Sequence, residues 1–330
     1  MDFNLIKLNP LTNTDNFFNV INDFENHDFA FSQRGLAFIS DLSEFSEGIR
    51  KVTQNFRNHF NNITLYDAGH LDGLDFSPFS AMLDHLNSHK VLPFIVGVDL
   101  DFTGRIAADN GLNLYQISNK INNVVSEDAL INNNFLCYQR HLCAYDDIRE
   151  IENNYINAIS LGKLRTVPFL AEPVIRDCQL LHINLDAIRS SEVPGIENTL
   201  PTGLNSEELC QLLKYAGMAS DLKAVLVTGC NVEADSTPSK LIAEIFWYLA
   251  EGMNQLISPD HPSVNSNFST FVVTDTDQGS DIIFVRNDHT GRWWIQKSPN
   301  ESHYMACAHE EYQMSVNDAV PERLQKYLYS

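Results

Sequence analysis

A single rhythm limits the folds open to this chain. From about residue 35 to residue 255, short runs rich in Val, Ile and Leu alternate with stretches of helical period. LAFISD (36–41) precedes GIRKVTQNFRNHF (48–60), where Ile49, Val52, Phe56 and Phe60 recur at helical spacing. ITLYDAGHLD (63–72) precedes the helical FSAMLDHLNSH (79–89), and VLPFIVGVD (91–99) reads as a buried strand. LNLYQIS (112–118), FLCYQRHLCAY (135–145), TVPFLAE (166–172), LLHINLDAI (180–188) and AVLVTGCN (224–231) read as further strands, with helices expected over 146–162, 206–217 and 238–253. Continuous apolar strands alternating with helices predict an α/β fold, a mostly parallel sheet with helices on both faces. The strand runs end in polar residues: Asp41, Asp67, Asp99, Ser118, Asp186 and Asn231. In open sheets of this kind the functional cleft lies outside the carboxyl ends of the strands.

With 330 residues, 44% of them hydrophobic, the chain can bury one large core or two medium ones. Its 22 basic and 43 acidic residues give a formal charge of -21, which repels phosphate backbones and anionic lipid. Nucleic acid and membrane surfaces are therefore not expected partners. No run approaches the ~18 apolar residues of a membrane helix, and the start MDFNLIKLNP has no secretory pattern. Cys137, Cys143, Cys178, Cys210, Cys230 and Cys307 form no CxxC pair. They read as reduced thiols of a cytoplasmic protein.

Residues 1–34 read as an N-terminal arm or helix outside the core. After residue 255 the character changes: 256–267 reads as a linker, 269–298 as a β-hairpin or meander, and the remainder as helix broken at Pro321. The expected organisation is a body over 1–255 and a C-terminal β-hairpin and helix extension over 256–330.

Several constellations invite chemistry. In DAGHLDGLD (67–75), His70, Asp72 and Asp75 have the side chains of a divalent-metal site, but a polar turn after a strand is the preferred reading. Cys137 and Cys143 flank His141, a possible nucleophile pair that reads better as small residues in a buried strand. His85 and His89 lie four apart on a helix without an evident third ligand, which favours a surface or helix-end role. Trp293 and Trp294 must face opposite ways if they share a strand, and packing of the tail onto the core is the favoured role. A helix over 206–217 is announced by Asn205 or Ser206 as cap, with Glu208 placed for a capping box.

Residues 180–217 carry the most specific signal. A strand ending in Asn184 and Asp186 is followed by Pro194-Gly195, Pro201, Gly203-Leu204 and a helix with Glu207-Glu208. This resembles the ureohydrolase superfamily of arginases, agmatinases and formimidoylglutamases, where a strand ending S-x-D-x-D-x-x-D-P leads to P-G, another Pro, G-G-L and an acidic helix. PFIVGVDLD (93–101) resembles the family strand P-x-x-x-G-G-D-H-S, and VTGCNVEAD (227–235) resembles V-x-E-x-N-P-x-x-D. The resemblance spans about 35–255, leans toward the formimidoylglutamase-like members, and implies a three-layer ureohydrolase fold.

It also implies a function, and then withdraws support for it. Family enzymes hold two manganese ions between the strand ends, and a bridging hydroxide attacks a guanidine or formimino carbon. Carried over residue by residue, the ligand His falls on Leu100, the D-A-H-x-D ligands on Ser118, Lys120 and Asn122, and the first Asp of D-x-D on Asn184, so that of six expected ligands only Asp186 remains. The substrate-contacting Glu falls on Gly229. A protonated Lys120 at ~4 Å would oppose each unit of ion charge by about 4 kcal/mol at an effective dielectric near 20. The expectation is a ureohydrolase-like protein without catalytic residues, metal or cofactor, binding an unknown small molecule or protein. Its candidate cleft is Asp99, Asp101, Ser118, Asn122, Asn184, Asp186 and Asn231. The alternative is a manganese-dependent hydrolase of a linear amidine with a rearranged site. A homo-oligomer is a further expectation of the resemblance.

Overall fold

The computed structural model describes residues 5–6, 18–20, 34–41, 44–71, 75–122, 133–153, 156–229, 236–256, 260–263, 267–275, 279–298 and 302–329. Short strands β1 (Leu5–Ile6) and β2 (Asn19–Val20) come first. The body follows as β3 (Arg34–Ser40), α1 (Glu44–Thr53), β4 (Ile63–Leu71), α2 (Phe76–Ser88), β5 (Val91–Val96), α3 (Leu100–Asn110) and β6 (Leu114–Ile117). Then come β7 (Asn133–Tyr138), α4 (Tyr145–Asn153), β8 (Ala158–Ser160), α5 (Leu161–Thr166), α6 (Ala171–Arg176), β9 (Leu180–Asn184), α7 (Ser206–Gly217), β10 (Ala224–Thr228) and α8 (Thr237–Gln255). The sheet order is β1-β4-β3-β5-β10-β9-β6-β7-β8, with β2 beside β4, and every pairing is parallel except β1 with β4. Part of the expected outer arm thus joins the sheet edge as two short strands.

Alternate residues of each strand feed two cores, which makes the body three layers. Phe38, Phe94, Leu181 and Val225 point to the layer of α1, α5, α6, α7 and α8. Phe246 of α8 sits edge-on over Phe38 and Phe94, 5.8 and 5.4 Å between ring centres. Ile39, Ile95, Leu180 and Leu226 point to α2 and α3, and Phe135 meets Ile148 and Ile151 of α4. α7 and α8 cross at two glycines. A Cβ on Gly252 would lie 2.0 Å from the Lys214 carbonyl oxygen, and one on Gly217 would lie 2.2 Å from that of Leu249.

Several elements differ from the sequence reading. The helix expected over 146–162 ends at Asn153 and is followed by the strand β8 and the short α5, α3 stands where no helix was expected, and the strand expected over 180–188 ends at Asn184 in a 3₁₀ step. The run 166–172 is not a strand: Pro168 opens a 3₁₀ turn that leads into α6, because a short apolar run is compatible with either state and Pro removes a ladder donor. The run 135–145 leaves the sheet at Tyr138, just after Cys137 adopts φ 70°. α1 stops at Thr53, whose hydroxyl bonds the Arg50 carbonyl at 2.8 Å, although the apolar spacing runs on to Phe60.

The C-terminal extension exceeds a hairpin. β11 (Phe268–Asp275), β12 (Ser280–Asn287), β13 (Trp293–Gln296) and β14 (Tyr304–Cys307) form an antiparallel meander, followed by α9 (His309–Val316) and α10 (Glu322–Tyr329). Trp293 packs inside this unit, 4.5 Å from Tyr312. Trp294 faces the body, where the Arg176 guanidinium lies 4.5 Å over its ring. The expected linker is pinned at Asp260, which is buried and accepts from Asn287, Thr290 and Arg292.

Candidate functional site

At the carboxyl ends of β6 and β9 the sequence brings several of the expected residues together. Asn184 ends β9, and its side-chain oxygen accepts from the Asp186 amide at 3.1 Å, which turns the chain through a 3₁₀ step. Its Nδ2 donates to Asp186 Oδ2 at 2.9 Å. The other carboxylate oxygen accepts from Ser118 Oγ at 3.4 Å and from the Asn119 amide at 3.3 Å. Asn119 Nδ2 reaches the Asp186 carbonyl at 3.0 Å, and Asn122 Nδ2 donates to Ser118 Oγ at 3.3 Å. Asp186 is 6% exposed. Burial lifts its carboxyl to about 6, against the pull of the Asn119 amide, Lys120 and Ser118. The Lys120 side chain is exposed, so its charge acts on Asp186 from the solvent side.

Other candidates serve the backbone. Asp99 caps α3 by accepting from the Phe102 amide at 2.7 Å, and Asp101 is exposed in the first turn. Leu100 packs against the core on the α2 and α3 face. Gly229, just past β10, holds φ 87° with Asn184 and Leu185 within 3.3 Å of where a Cβ would stand. A side chain is strained there whatever its chemistry. Asn231 lies outside the described residues.

One step below the cleft, the buried His182 contacts Thr103 Oγ1 through Nδ1 at 2.9 Å. The Thr103 hydroxyl gives its one proton to the Asp99 carbonyl at 2.8 Å, so His182 Nδ1 must be the donor. Burial pushes the His182 pKa down to about 3, and its Nε2 has no hydrogen-bond partner among the described residues. Neither His182 nor Asn119 is singled out by strand-end reasoning. Asn119 adjoins Ser118 in sequence, and that adjacency was the available signal.

The first five residues of DAGHLDGLD, Asp67–Leu71, are not a turn after a strand but the end of β4, and they sit in an ion-pair network. Arg50 Nε and Nη2 hold the two Asp67 oxygens at 2.9 and 3.1 Å, and Nη2 also donates to the Gly69 carbonyl at 2.9 Å. Arg50 Nη1 donates to Ser40 Oγ at 3.0 Å. His70 Nδ1 meets the Asp41 carbonyl at 2.8 Å, and Nε2 meets Glu47 at 3.0 Å. Arg50 and Asp67 are both buried, which makes this a paired internal charge. Asp75 precedes α2 without capping it, and Asp72 lies outside the described residues. Cys137 is buried with its thiol pKa pushed up, while His141 is exposed and Cys143 donates to the Gln139 carbonyl, so no nucleophile pair forms. His89 Nδ1 caps the His85 carbonyl at 2.8 Å at the end of α2. No disulfide joins the described cysteines.

Two cavities lie away from the carboxyl ends of the strands. One of about 370 Å³ opens at the seam between body and extension, beside Arg176, Asp177, Trp294 and Tyr304. One of about 500 Å³ lies beside Phe56, Cys210, Glu244 and Trp247.

No family model matches this sequence, and no curated protein does. Solved structures do. A formiminoglutamase from Trypanosoma cruzi, crystallised with manganese, superposes with a TM-score of 0.58 at 14% identity over 70% of this chain and 96% of its own. The body has the arginase-superfamily fold. Formimidoylglutamase from Bacillus subtilis gives 0.56 at 16% identity, covering 68% and 89%, and proclavaminate amidino hydrolase from Streptomyces clavuligerus gives 0.55 at 13%, covering 68% and 93%. The ureohydrolase-like three-layer architecture expected from 180–217 is therefore the observed one. Among the described residues no helix is long and apolar enough to cross a membrane.

Proposed function

We propose that this chain is a divergent arginase-superfamily protein that has exchanged the dinuclear metal site for a hydrogen-bonded polar knot, and that it binds a small molecule or protein in the cytoplasm without catalysing hydrolysis. One observation carries this reading. The Asp186 carboxylate already accepts from Ser118, Asn119 and Asn184. The residues gathered there suit a pair of divalent ions poorly. Ser118, Asn119, Asn122 and Asn184 are neutral and Leu100 offers no side-chain lone pair, which leaves Asp186 as the one anionic donor among the described residues gathered there. Fold alone does not supply activity. The second reading, an amidine hydrolase with a rearranged site, draws on the shared fold, while Asp186 is the single carboxylate among the described residues of the knot.

The test is a release assay for urea, ammonia and formamide with linear amidines and added manganese. The expected result is no product above the buffer control. Turnover abolished by Asp186→Ala would replace this reading with the second one.

A further inference from the structure

The two edges of the C-terminal sheet are treated differently. At β14, the Asp177 carboxylate accepts from the Ala306 amide at 2.8 Å and Arg176 donates to the Cys307 carbonyl at 3.2 Å, so body side chains cover that edge. At β11, no strand of the described residues pairs with the outer edge. Sheet edges left bare are usually protected by Pro, Lys, a bulge or shortness. β11 has none of these. It runs eight residues, FSTFVVTD, in unbroken register with β12, and carries no charge from Phe268 to Thr274. Its inner side is anchored, with the Phe271 ring 5.0 Å from that of Trp293. Its outer side presents Thr270, Val272 and Thr274, and Val272 is 61% exposed.

We propose that β11 is a self-pairing surface, joining two copies of the chain edge to edge about a two-fold axis through Val272. The sequence is self-complementary in that register. An antiparallel copy sets Val272 against Val272, and Thr270 against Thr274 of the second copy, all on the exposed face. On the other face Phe271 meets Val273. Thr–Thr and β-branched pairs of this kind stabilise antiparallel sheets, and isologous pairing of one patch with itself closes as a dimer. The pairing merges two four-stranded sheets into one of eight strands. It does not depend on how the strand-end knot is read.

The experiment uses the full chain, with light scattering after size exclusion across the micromolar range. The expected mass is twice 37.4 kDa for the wild type and 37.4 kDa for Val272→Lys, which sets two ammonium groups against each other at an exposed position. Circular dichroism of Val272→Lys should match the wild type. Val272→Cys should give a covalent dimer under mild oxidation that the wild type does not form, since only this register brings position 272 to its own copy. A monomeric wild type overturns the proposal, whether or not β11 then captures some other extended peptide. So does a dimer that Val272→Lys leaves intact, or a Val272→Cys chain that stays uncrosslinked.

Discussion

His182 and Asp186 stand four residues apart and titrate in opposite senses. His182 has its folded pKa below the unfolded value, about 3 against 6.5. The unfolded chain therefore takes up a proton that the folded chain refuses, so the stability contributed by neutral His182 is complete above 6.5 and drains as pH falls toward 3. Asp186 has its folded pKa raised, about 6 against 3.8. Between those values the folded chain holds the extra proton, and stability falls as pH rises through that window. The predicted signature lies in the difference between wild type and His182→Asn, measured by urea unfolding from neutral pH downward. The wild type's advantage should shrink as pH falls below 6.5, and a constant difference would deny His182 its buried neutral state. Asp186→Ala strands the donors of Ser118, Asn119 and Asn184 and should cost about 1–3 kcal/mol by the same measurement. Asn122 came from the family resemblance, and strand-end reasoning found Ser118 and Asp186, with Asn184 beside it, because each follows an apolar run. It passed over Asn119, whose contribution is a backbone amide as much as a side chain.

Elements are pinned to one another by contacts that periodicity does not encode. Arg50 lies in the last turn of α1, outside its apolar stripe, and its guanidinium closes on Asp67 of β4 and Ser40 of β3. Arg50→Ala would leave Asp67 buried and unpaired, at about 3–5 kcal/mol; chemical denaturation checks this, and a loss under 1 kcal/mol would mean Asp67 finds other partners. The α7–α8 crossing is equally strict. Gly252→Ala should cost at least about 1–3 kcal/mol, because the added carbon meets the Lys214 carbonyl rather than a movable side chain. α7 was legible to the residue: Asn205 accepts from the Glu208 amide at 2.8 Å, and Glu208 returns the bond to the Asn205 amide at 2.9 Å. The run 166–172 was not, since four to eight apolar residues fit a strand or a buried helical turn alike.

At the scale of the molecule, body and extension share buried charge. Asp177 accepts from β14, and Arg292 of the extension meets Glu172 of α6 at 3.2 Å and Asp260 at 3.3 Å. Deleting 256–330 would uncover Arg176 and Asp177 together, and the truncated body should lose solubility or unfold at lower urea than the full chain. Unchanged solubility and midpoint would make the extension an independent appendage. The fold was readable because its strand and helix rhythm, the 180–217 pattern and the meander within 269–298 are local; the covered β14 edge and the Arg50 network rest on contacts distant in sequence. The central claim concerns what the strand ends hold, and calorimetric titration of the intact chain with manganese at neutral pH tests it most directly. The expected result is no saturable binding and no change in melting temperature. Two ions bound per chain, with binding lost in Asp186→Ala, would contradict it.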